Sequence, residues 1–369
     1  MKINKHDIWV EISREAMENN FKALRKKVSS KAKICAVVKA NGYSHGIDIS
    51  SQIFSGAGCD YLGVTHFSEA IEIRNSGINT KTLMFMPISY SNIEEAVSAD
   101  LDFTVSNINN AKDINQIAVK SNKIANIHVK VDTGMGRLGV YSNEITELFN
   151  ELKSLENINI AGIYTHFARS GELDIKFTCQ QFSKFERILN NLKRDNFNYG
   201  TAHVCNSSAS LRFPDMHLDM VRIGTALYGQ FPSVYAKQGA VELQNTWKLK
   251  CKICEIRNLP VGSTVGYGSE FIARKPMKVA VISIGFADGY TMVPDSLIYR
   301  IEPLRYFIKK YSNRYHVFIN GQKCDILGRI GMQMCIVNIT GTNIDINDTA
   351  EIPTMRLPVP SSIPRIIIQ

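Results

Sequence analysis

Short apolar runs alternate with helical patterns through the first 240 residues of the 369-residue chain, and this alternation restricts the fold more than any other feature. The runs show little polar alternation, which is typical of parallel strands that are buried on both faces. The predicted strands are 34–38, 61–65, 82–86, 101–105, 127–131, 160–165, 201–204 and 218–223. Eight repeats over about 230 residues predict an α/β fold, an N-terminal (β/α)8 barrel of the TIM type.

Helical periodicity fills the intervals between these runs. The predicted helices include 13–28, 68–75, 92–99, 109–119, 144–155 and 177–192. In the first of them Met17, Phe21, Leu24 and Val28 form the apolar stripe. A doubly wound sheet would usually carry a GxGxxG turn after its first strand, and this sequence has none there. The pattern therefore favours the barrel.

From about residue 241 the helical periodicity disappears and short strand-like runs separated by glycine turns follow. These runs are 249–256, 279–284, 316–319, 324–330, 335–339 and the apolar end 366–368. Asn320-Gly321 between two of them is a hairpin signal. We predict two domains, a barrel over 1–240 and a mainly-β C-terminal domain over 241–369.

Composition excludes several classes of protein. The net charge is +9, but the lysines are scattered and no nucleic-acid motif accompanies them, so we expect no nucleic-acid partner. No apolar run approaches the roughly 20 residues of a membrane helix, and the N-terminus lacks a signal peptide. The eight cysteines lack framework spacing, and we expect Cys251 and Cys254 to be buried thiols rather than metal ligands. These features predict a cytoplasmic protein without a metal site.

Lys39 follows an apolar run directly and precedes a polar, glycine-containing loop. Desolvation at such a place disfavours the ammonium form and makes the amine a nucleophile or a base. A lysine that only extends from the strand end towards solvent is the alternative. In a (β/α)8 barrel the chemistry gathers at the carboxyl ends of the strands. Those ends carry Lys39, His66, Lys130, Asp132, His166, Asn206 and Arg222.

An ordered set of motifs resembles the alanine racemase family, which uses pyridoxal 5'-phosphate. The motifs occupy 36–43, 130–137, 165–168, 206–208, 220–229 and 266–268, with weaker matches at 284–290 and 328–333. The resemblance covers essentially the whole chain. It implies an amino-acid racemase that interconverts L- and D-alanine for peptidoglycan, working as a cytoplasmic homodimer whose active sites are shared between subunits.

The resemblance also implies the catalytic residues. Lys39 would carry the cofactor as a Schiff base and then act as a base on one face of the substrate. Tyr267, contributed by the partner subunit, would be the opposed base. His166 would support the cofactor ring, and Arg222 would face the pyridine nitrogen without giving up its proton.

The binding residues follow from the same resemblance. Tyr43 and Ser207, with amides near Gly224 and Thr225, would hold the phosphate. Asn206 and Tyr228 would also lie at the cofactor.

The substrate carboxylate would face Arg137 and the Met332 backbone amide. Lys130 matches a position that is carboxylated in some members of the family, and an ion pair between Lys130 and Asp132 is the alternative.

Because of three departures from the common family pattern, the sequence does not decide between alanine and serine as the substrate. Phe286 replaces a tyrosine, Gln333 an acidic residue, and Ser361 aligns with a tyrosine that narrows the pocket. The smaller Ser361 favours, as an alternative, a serine or dual alanine/serine racemase. Two further alternatives are a fold-related amino-acid decarboxylase and a single-barrel cofactor-binding protein that is not an enzyme. This sequence lacks the glycine run and the cysteine motif of such decarboxylases. A single-barrel protein would have no C-terminal domain.

Overall fold

The computed structural model describes residues 5–237, 241–292 and 315–369, which form two compact units. One unit is Arg14–Thr246, and the other contains the described residues up to Ser13 together with those from Trp247 onward. The predicted boundary at residue 240 falls outside the described ranges. Within those ranges no helix is long and apolar enough to cross a membrane.

The N-terminal strand differs from the prediction, which assigned residues 1–240 to the barrel. Ile8–Ser13 pairs antiparallel with Trp247–Leu259, with Val10 opposite Leu249, and parallel with Arg365–Ile368. Its backbone hydrogen bonds therefore belong to the sheet of the second unit. No local pattern shows this, because the partners lie more than 200 residues away along the chain.

The first unit is a closed parallel barrel, as predicted. Its strands are Lys33–Val37, Tyr61–Val64, Thr82–Met84, Phe103–Val105, Ala125–Lys130, Ile158–Tyr164, Thr201–His203 and Met220–Ile223. Seven neighbouring pairs are hydrogen-bonded in order, with the first strand beside the eighth. The ring closes where Met84 donates to the carbonyl of Asp102 at 3.0 Å and Asp102 donates to that of Thr82 at 2.9 Å.

Helices surround this sheet. They are Arg14–Lys27, Ile47–Gly56, Phe67–Asn75, Ile93–Ser98, Ile108–Lys120, Ile145–Leu152, Lys176–Arg194 and Ser207–Arg212. The stripe predicted for the first helix is confirmed, since Met17, Phe21, Leu24 and Val28 are at most 5 % exposed. The helix Ile47–Gly56 was not among the predicted ones.

Strands are the main secondary structure among the described residues of the second unit. Besides Ile8–Ser13 they are Trp247–Leu259, Thr264–Val265, Phe271–Ile272, Met277–Ile282, His316–Ile319, Gln322–Leu327, Cys335–Asn338, Thr349–Ile352 and Arg365–Ile368. Met277–Ile282 pairs with both Cys335–Asn338 and the second half of Trp247–Leu259, which closes part of the sheet on itself. The mainly-β prediction is confirmed.

Two local predictions in this unit have different outcomes. The Asn320-Gly321 hairpin is confirmed, with φ of 50° and 76° at these residues joining His316–Ile319 to Gln322–Leu327. The prediction of two buried thiols is wrong for one of them, since Cys251 is buried and Cys254 is exposed. Strand alternation explains the difference, because the two cysteines are three positions apart and an odd offset places their side chains on opposite faces.

The packing around Gly63 yields a stability prediction. A Cβ at this residue would lie 2.5 Å from the Phe85 ring and 3.0 Å from Cys35 Sγ. We expect Gly63→Ala to destabilise the barrel by about 1–3 kcal/mol through overpacking, measured as a lower urea midpoint. The control is Gly56→Ala at a helix end, where an added Cβ meets nothing within 4 Å. Equal midpoints for the two variants would contradict this packing argument.

Candidate active site

A cavity of about 700 Å³ lies at the carboxyl ends of the barrel strands. It collects ten of the residues singled out from the sequence: Lys39, Tyr43, Lys130, Arg137, His166, Asn206, Ser207, Arg222, Gly224 and Thr225. Seven of them lie in the last two residues of a strand or within three residues after it, so the parallel sheet brings them to one edge. His66 does not line this cavity, and its side chain is exposed.

Lys39 opens a turn with an unusual backbone. The four residues from Ala40 to Tyr43 all have φ between 51° and 59° and ψ between 41° and 53°. Only Gly42 among them tolerates this left-handed conformation freely, and each other residue costs about 1–2 kcal/mol. The turn therefore has to be held by contacts with the surrounding structure.

The Lys39 amine lies in a mixed electrostatic environment. Burial and, to a smaller extent, the Arg137 guanidinium lower the pKa of Lys39 from its ordinary value. Glu69 acts in the opposite direction. The balance favours the neutral amine more than at an exposed lysine, and this form is nucleophilic.

Arg222 is 4 % exposed and donates to acceptors at the ends of two neighbouring strands, Ile158–Tyr164 and Thr201–His203. Its Nη1 lies 2.7 Å from His203 Nδ1. Its Nη2 lies 2.7 Å from the carbonyl oxygen of Thr165 and 3.1 Å from that of Val204. The same Nη2 is 3.2 Å from His166 Nδ1. A guanidinium only donates, so both ring nitrogens facing Arg222 are acceptors.

These acceptor roles fix the protons on a buried chain of histidines. His203 accepts at Nδ1 and so carries its proton on Nε2, which lies 3.0 Å from His128 Nδ1. His128 in turn carries its proton on Nε2, 3.1 Å from Asp102 Oδ2. Burial and Arg222 lower the pKa of His203 well below its ordinary value, which agrees with a neutral ring. Each group in the series Arg222, His203 and His128 thus donates a hydrogen bond to the next, and His128 donates to Asp102.

His166 is neutral for the same reasons. Burial, then Arg222 and Lys130, lower the pKa of its imidazole well below the ordinary value. Because Nδ1 accepts from Arg222, the proton of His166 sits on Nε2. The ring therefore offers a single donor.

Two basic side chains lie over the aromatic ring of Tyr164. Lys130 Nζ lies 4.2 Å from the ring centroid and Arg222 Cζ 5.0 Å from it. The hydroxyl is fixed because Thr104 donates to the Met84 carbonyl at 2.6 Å, so Tyr164 donates to Thr104 at 2.7 Å. The ring face stabilises the neighbouring charges without supplying a counter-ion.

Lys130 is 6 % exposed and lies among like charges. Burial, then Arg222 and Arg137, lower its pKa well below the ordinary value, while Asp132 acts in the opposite direction. The Asp132 carboxylate accepts the backbone N–H groups of Gly134 at 2.7 Å, Met135 at 2.8 Å and Gly136 at 2.9 Å. Asp132 thus shapes the turn that leads to Arg137.

The other end of the cavity is lined by hydroxyl groups. Burial raises the pKa of Tyr43 to about 12, so its hydroxyl remains a donor at neutral pH. A Cβ at residue 224 would lie 2.3 Å from this hydroxyl, so only glycine allows Tyr43 its position. Gly224 donates its N–H to Ser207 Oγ at 2.8 Å, and Ser207 begins the helix Ser207–Arg212.

Two of the predicted cofactor residues, Tyr228 and Asn206, make contacts that stabilise the protein around the cavity. Tyr228 is fully buried and is not among the residues that line the cavity. Its ring stacks on Tyr43 at 4.8 Å, and its hydroxyl donates to the Val37 carbonyl at 3.1 Å. Asn206 lines the cavity, but its side-chain oxygen caps the helix by accepting from the Ala209 amide at 3.1 Å.

Tyr267 and Met332 belong to the second unit. Tyr267 lies between the short strands Thr264–Val265 and Phe271–Ile272, flanked by Gly266 and Gly268 with φ of 73° and 69°. Its side chain is 75 % exposed and that of Met332 is 62 % exposed. The two glycines present the phenol at the surface of this unit.

Sequence reasoning missed several residues of the site. The cavity is also lined by Val37, Thr65, Phe85, Met86, Leu138, Tyr164, Ala168, Ser170, Gly171, Ser208 and Pro232. Thr65 and Tyr164 stand at strand ends, so the rule that selected Lys39 would have found them. His203, His128 and Asp102 lie behind the cavity, and their hydrogen bonds cross from strand to strand. No sequence signal marks them.

The fold and the site together define a class of protein. A (β/α)8 barrel presents a nucleophilic lysine, a hydroxyl-lined end, and a buried arginine with a neutral histidine in one cavity. Amines of this kind form covalent adducts with carbonyl groups, and hydroxyls beside a helix start suit a phosphate. The arrangement is that of a lysine site able to bind a phosphorylated carbonyl compound.

Comparison with known proteins identifies the family. The alanine racemase N-terminal domain family matches residues 12–232, and the alanine racemase C-terminal domain family matches residues 246–357. The chain is 35 % identical to an alanine racemase of Methanococcus maripaludis over 349 residues, 94 % of this chain and 89 % of that protein. It is 34 % identical to alanine racemase 2 of Bacillus subtilis, over 90 % of this chain and 82 % of that protein. The chain belongs to the alanine racemase family.

Solved structures agree with this assignment. An alanine racemase of Clostridium difficile 630 superposes with a TM-score of 0.89 at 27 % identity, covering 99 % of this chain and 96 % of that one. The Bacillus anthracis alanine racemase with bound L-Ala-P superposes with a TM-score of 0.84 at 25 % identity over the same shares. The two-domain match disfavours the single-barrel alternative. Relatives named as alanine racemases likewise disfavour the decarboxylase and serine racemase alternatives.

Proposed function

We propose that this protein is an alanine racemase that uses pyridoxal 5'-phosphate and interconverts L- and D-alanine. The observation that carries the proposal is the cavity in which Lys39, Arg222 and Tyr43 meet at the carboxyl ends of the barrel strands. The family assignment supports the reaction, and the geometry supports the role of each residue.

The residues present fit this cofactor. The cavity of about 700 Å³ has the size of an ordinary cofactor site. Gly224 leaves the space that a Cβ would fill beside the Tyr43 hydroxyl, and Ser207 and Thr225 line the same end. These groups would hold the phosphate, Lys39 the carbonyl carbon, and Arg222 the pyridine nitrogen, with His166 against the ring.

Lys39 and Arg222 have distinct tasks in this proposal. When bound, the cofactor supplies electron withdrawal that makes the α-hydrogen of an attached amino acid acidic. Lys39 would hold the cofactor and would also move a proton at the α-carbon of the substrate. Arg222 would face the ring nitrogen and keep its own proton, which would limit the electron withdrawal. Limited withdrawal disfavours side reactions such as transamination.

The opposite face of the substrate requires a second proton carrier. We assign this role to Tyr267 of the partner subunit. The Arg137 guanidinium and the Met332 backbone amide orient the substrate carboxylate. We further propose that the enzyme works in the cytoplasm, supported by eight free cysteines, and supplies D-alanine for peptidoglycan.

The primary test uses the purified protein with pyridoxal phosphate. We expect a yellow preparation that racemises L-alanine, with a much lower catalytic efficiency for L-serine. Borohydride should bleach the colour and fix the cofactor on the peptide that contains Lys39. Label on another lysine, or a higher efficiency for serine, would contradict the assignment.

The exposure of Tyr267 and Met332 supports a homodimer with shared sites, because exposed residues of the second unit are free to complete the site of a partner. If each site takes Lys39 from one subunit and Tyr267 from the other, two different inactive variants should complement each other. The proposal therefore makes a quantitative statement about mixed dimers.

Lys39→Ala and Tyr267→Phe should each lose most of the racemase activity, Tyr267→Phe by about 10²-fold or more with cofactor still bound. Random 1:1 mixing, after dissociation and reassociation, should restore about one quarter of the wild-type activity, because half the dimers then hold one intact site. Light scattering checks that the mixture is dimeric. If the mixture stays as inactive as its components, each site is completed within one chain.

We also propose that Lys130 is carboxylated. The cavity gathers Lys39, Lys130, Arg137 and Arg222, and an anion among them would offset their mutual repulsion. A buried lysine with a lowered pKa supplies the neutral amine that adds to carbon dioxide. The new bond joins Nζ to the carbon, and one proton leaves to solvent. The resulting carbamate would orient Arg137.

Isotopically labelled bicarbonate tests the modification. We expect a carbamate signal in the nuclear magnetic resonance spectrum of the wild-type enzyme and none in Lys130→Met. The control is Lys250→Met, which removes a lysine paired with Glu11 at 2.9 Å and should keep the signal. A wild-type spectrum without the signal would leave Lys130 as an unmodified amine.

A further inference from the structure

The carboxylate of Glu69 joins two elements next to Lys39. Its Oε1 accepts the backbone N–H of Ala40 at 2.6 Å, the residue directly after Lys39. Its Oε2 accepts the N–H groups of Thr65 at 2.9 Å and His66 at 3.0 Å. Thr65 follows the strand Tyr61–Val64 and lines the cavity. One side chain therefore ties the residue after the reactive lysine to the end of the adjacent strand.

The turn that Glu69 contacts is conformationally unfavourable. Residues Ala40 to Tyr43 are left-handed, and such segments persist only where the surroundings impose them. The later part of the turn has its own supports, since Gly46 donates to the Asn41 carbonyl at 3.0 Å and Ile47 to Asn41 Oδ1 at 2.9 Å. At Ala40, where the left-handed conformation begins, Glu69 is the hydrogen-bond partner.

Glu69 also bears a charge opposite to that of Lys39. The groups that act on the Lys39 amine are Arg137, which disfavours the ammonium form, and Glu69, which favours it. Glu72, one turn along the same helix, has both Glu69 and Asp48 as acidic neighbours. Glu69 therefore acts next to Lys39 in two ways, through its hydrogen bond to the Ala40 N–H and through its negative charge.

We propose that Glu69 is a positioning residue for Lys39: it clamps the left-handed turn to the neighbouring strand end and so sets the direction in which Lys39 enters the cavity. This inference rests on the proposed function, in which Lys39 holds the cofactor and moves a proton. Glu69 itself touches neither the cofactor nor the substrate in this scheme. A residue that only capped the helix Phe67–Asn75 would leave the placement of the Lys39 side chain unchanged, and with it kcat and the dichroism of the bound cofactor.

The first experiment measures the chemical reactivity of the Lys39 amine and does not depend on racemase activity. Trace acetylation of the full-length cofactor-free chain over a pH series, read by mass spectrometry, gives the reactivity of Lys39. In Glu69→Gln a negative charge is lost, so the neutral amine persists to lower pH and labelling at pH 7 should rise by about threefold or more. The control Glu72→Gln changes an exposed carboxylate on the same helix and should match the wild type. An unchanged labelling profile in Glu69→Gln would overturn the proposal.

The second experiment uses the loaded enzyme. Glutamine offers one acceptor oxygen and cannot receive N–H groups on both sides, so the clamp opens. We expect kcat for alanine to fall by about tenfold to a hundredfold because the lysine is misplaced, with a smaller change in KM. The circular dichroism of the bound cofactor should weaken at full occupancy. Wild-type kcat and dichroism in Glu69→Gln would refute the clamp.

A second variant keeps the test informative if Glu69→Gln folds poorly. Ala40→Gly relieves the left-handed conformation at the clamped residue, so the Ala40→Gly/Glu69→Gln protein should recover stability. Its kcat should still lie below that of Ala40→Gly alone, and equal values would overturn the proposal. A chain that never racemises alanine would refute the proposed function, whereas the acetylation profile would still decide the role of Glu69.

Discussion

The burial of the Arg222 guanidinium is the constraint on which the rest of the site depends. A charge that is 4 % exposed is tolerated only where its donors are satisfied, and here they reach acceptors on the ends of two neighbouring strands. Since a guanidinium cannot accept, it fixes the proton positions on His166 and His203. Through His203 it also fixes those of His128 and orients the Asp102 carboxylate. The bottom of the cavity is therefore electrostatically ordered before any ligand arrives.

This order has a consequence for the ligand. Lys39, Lys130 and Arg137 add further cations, and the nearby Asp132 is committed to backbone N–H groups. A cavity with this excess of positive charge suits a phosphorylated cofactor and a substrate carboxylate. Repulsion among the cations keeps the amines of Lys39 and Lys130 closer to neutral, and the neutral amine is the form that reacts with carbonyl carbon or carbon dioxide.

The turn after Lys39 has an unfavourable backbone conformation, and the same conformation positions two residues of the site. A left-handed segment with one glycine among four residues is unfavourable on its own. It places Lys39 and Tyr43 in the same cavity although they are only four positions apart in the chain. The cost is offset by contacts from Glu69, by the space beside Gly224, and by the ring of Tyr228 behind Tyr43.

The sequence by itself determined the barrel, the change to a β-rich second part, and most of the cavity. It could do so because strand periodicity is local and because parallel strands bring their carboxyl ends to one edge, so that Lys39, Lys130, His166 and Arg222 converge. Tertiary structure alone decided that Ile8–Ser13 joins the second unit, that Tyr228 lies behind Tyr43, and that Asp102, His128 and His203 extend the network below Arg222. It also decided that Glu69 contacts the turn after Lys39. Each of these is a hydrogen bond or ring contact between residues far apart in the chain, and such pairings leave no periodic signal in the sequence.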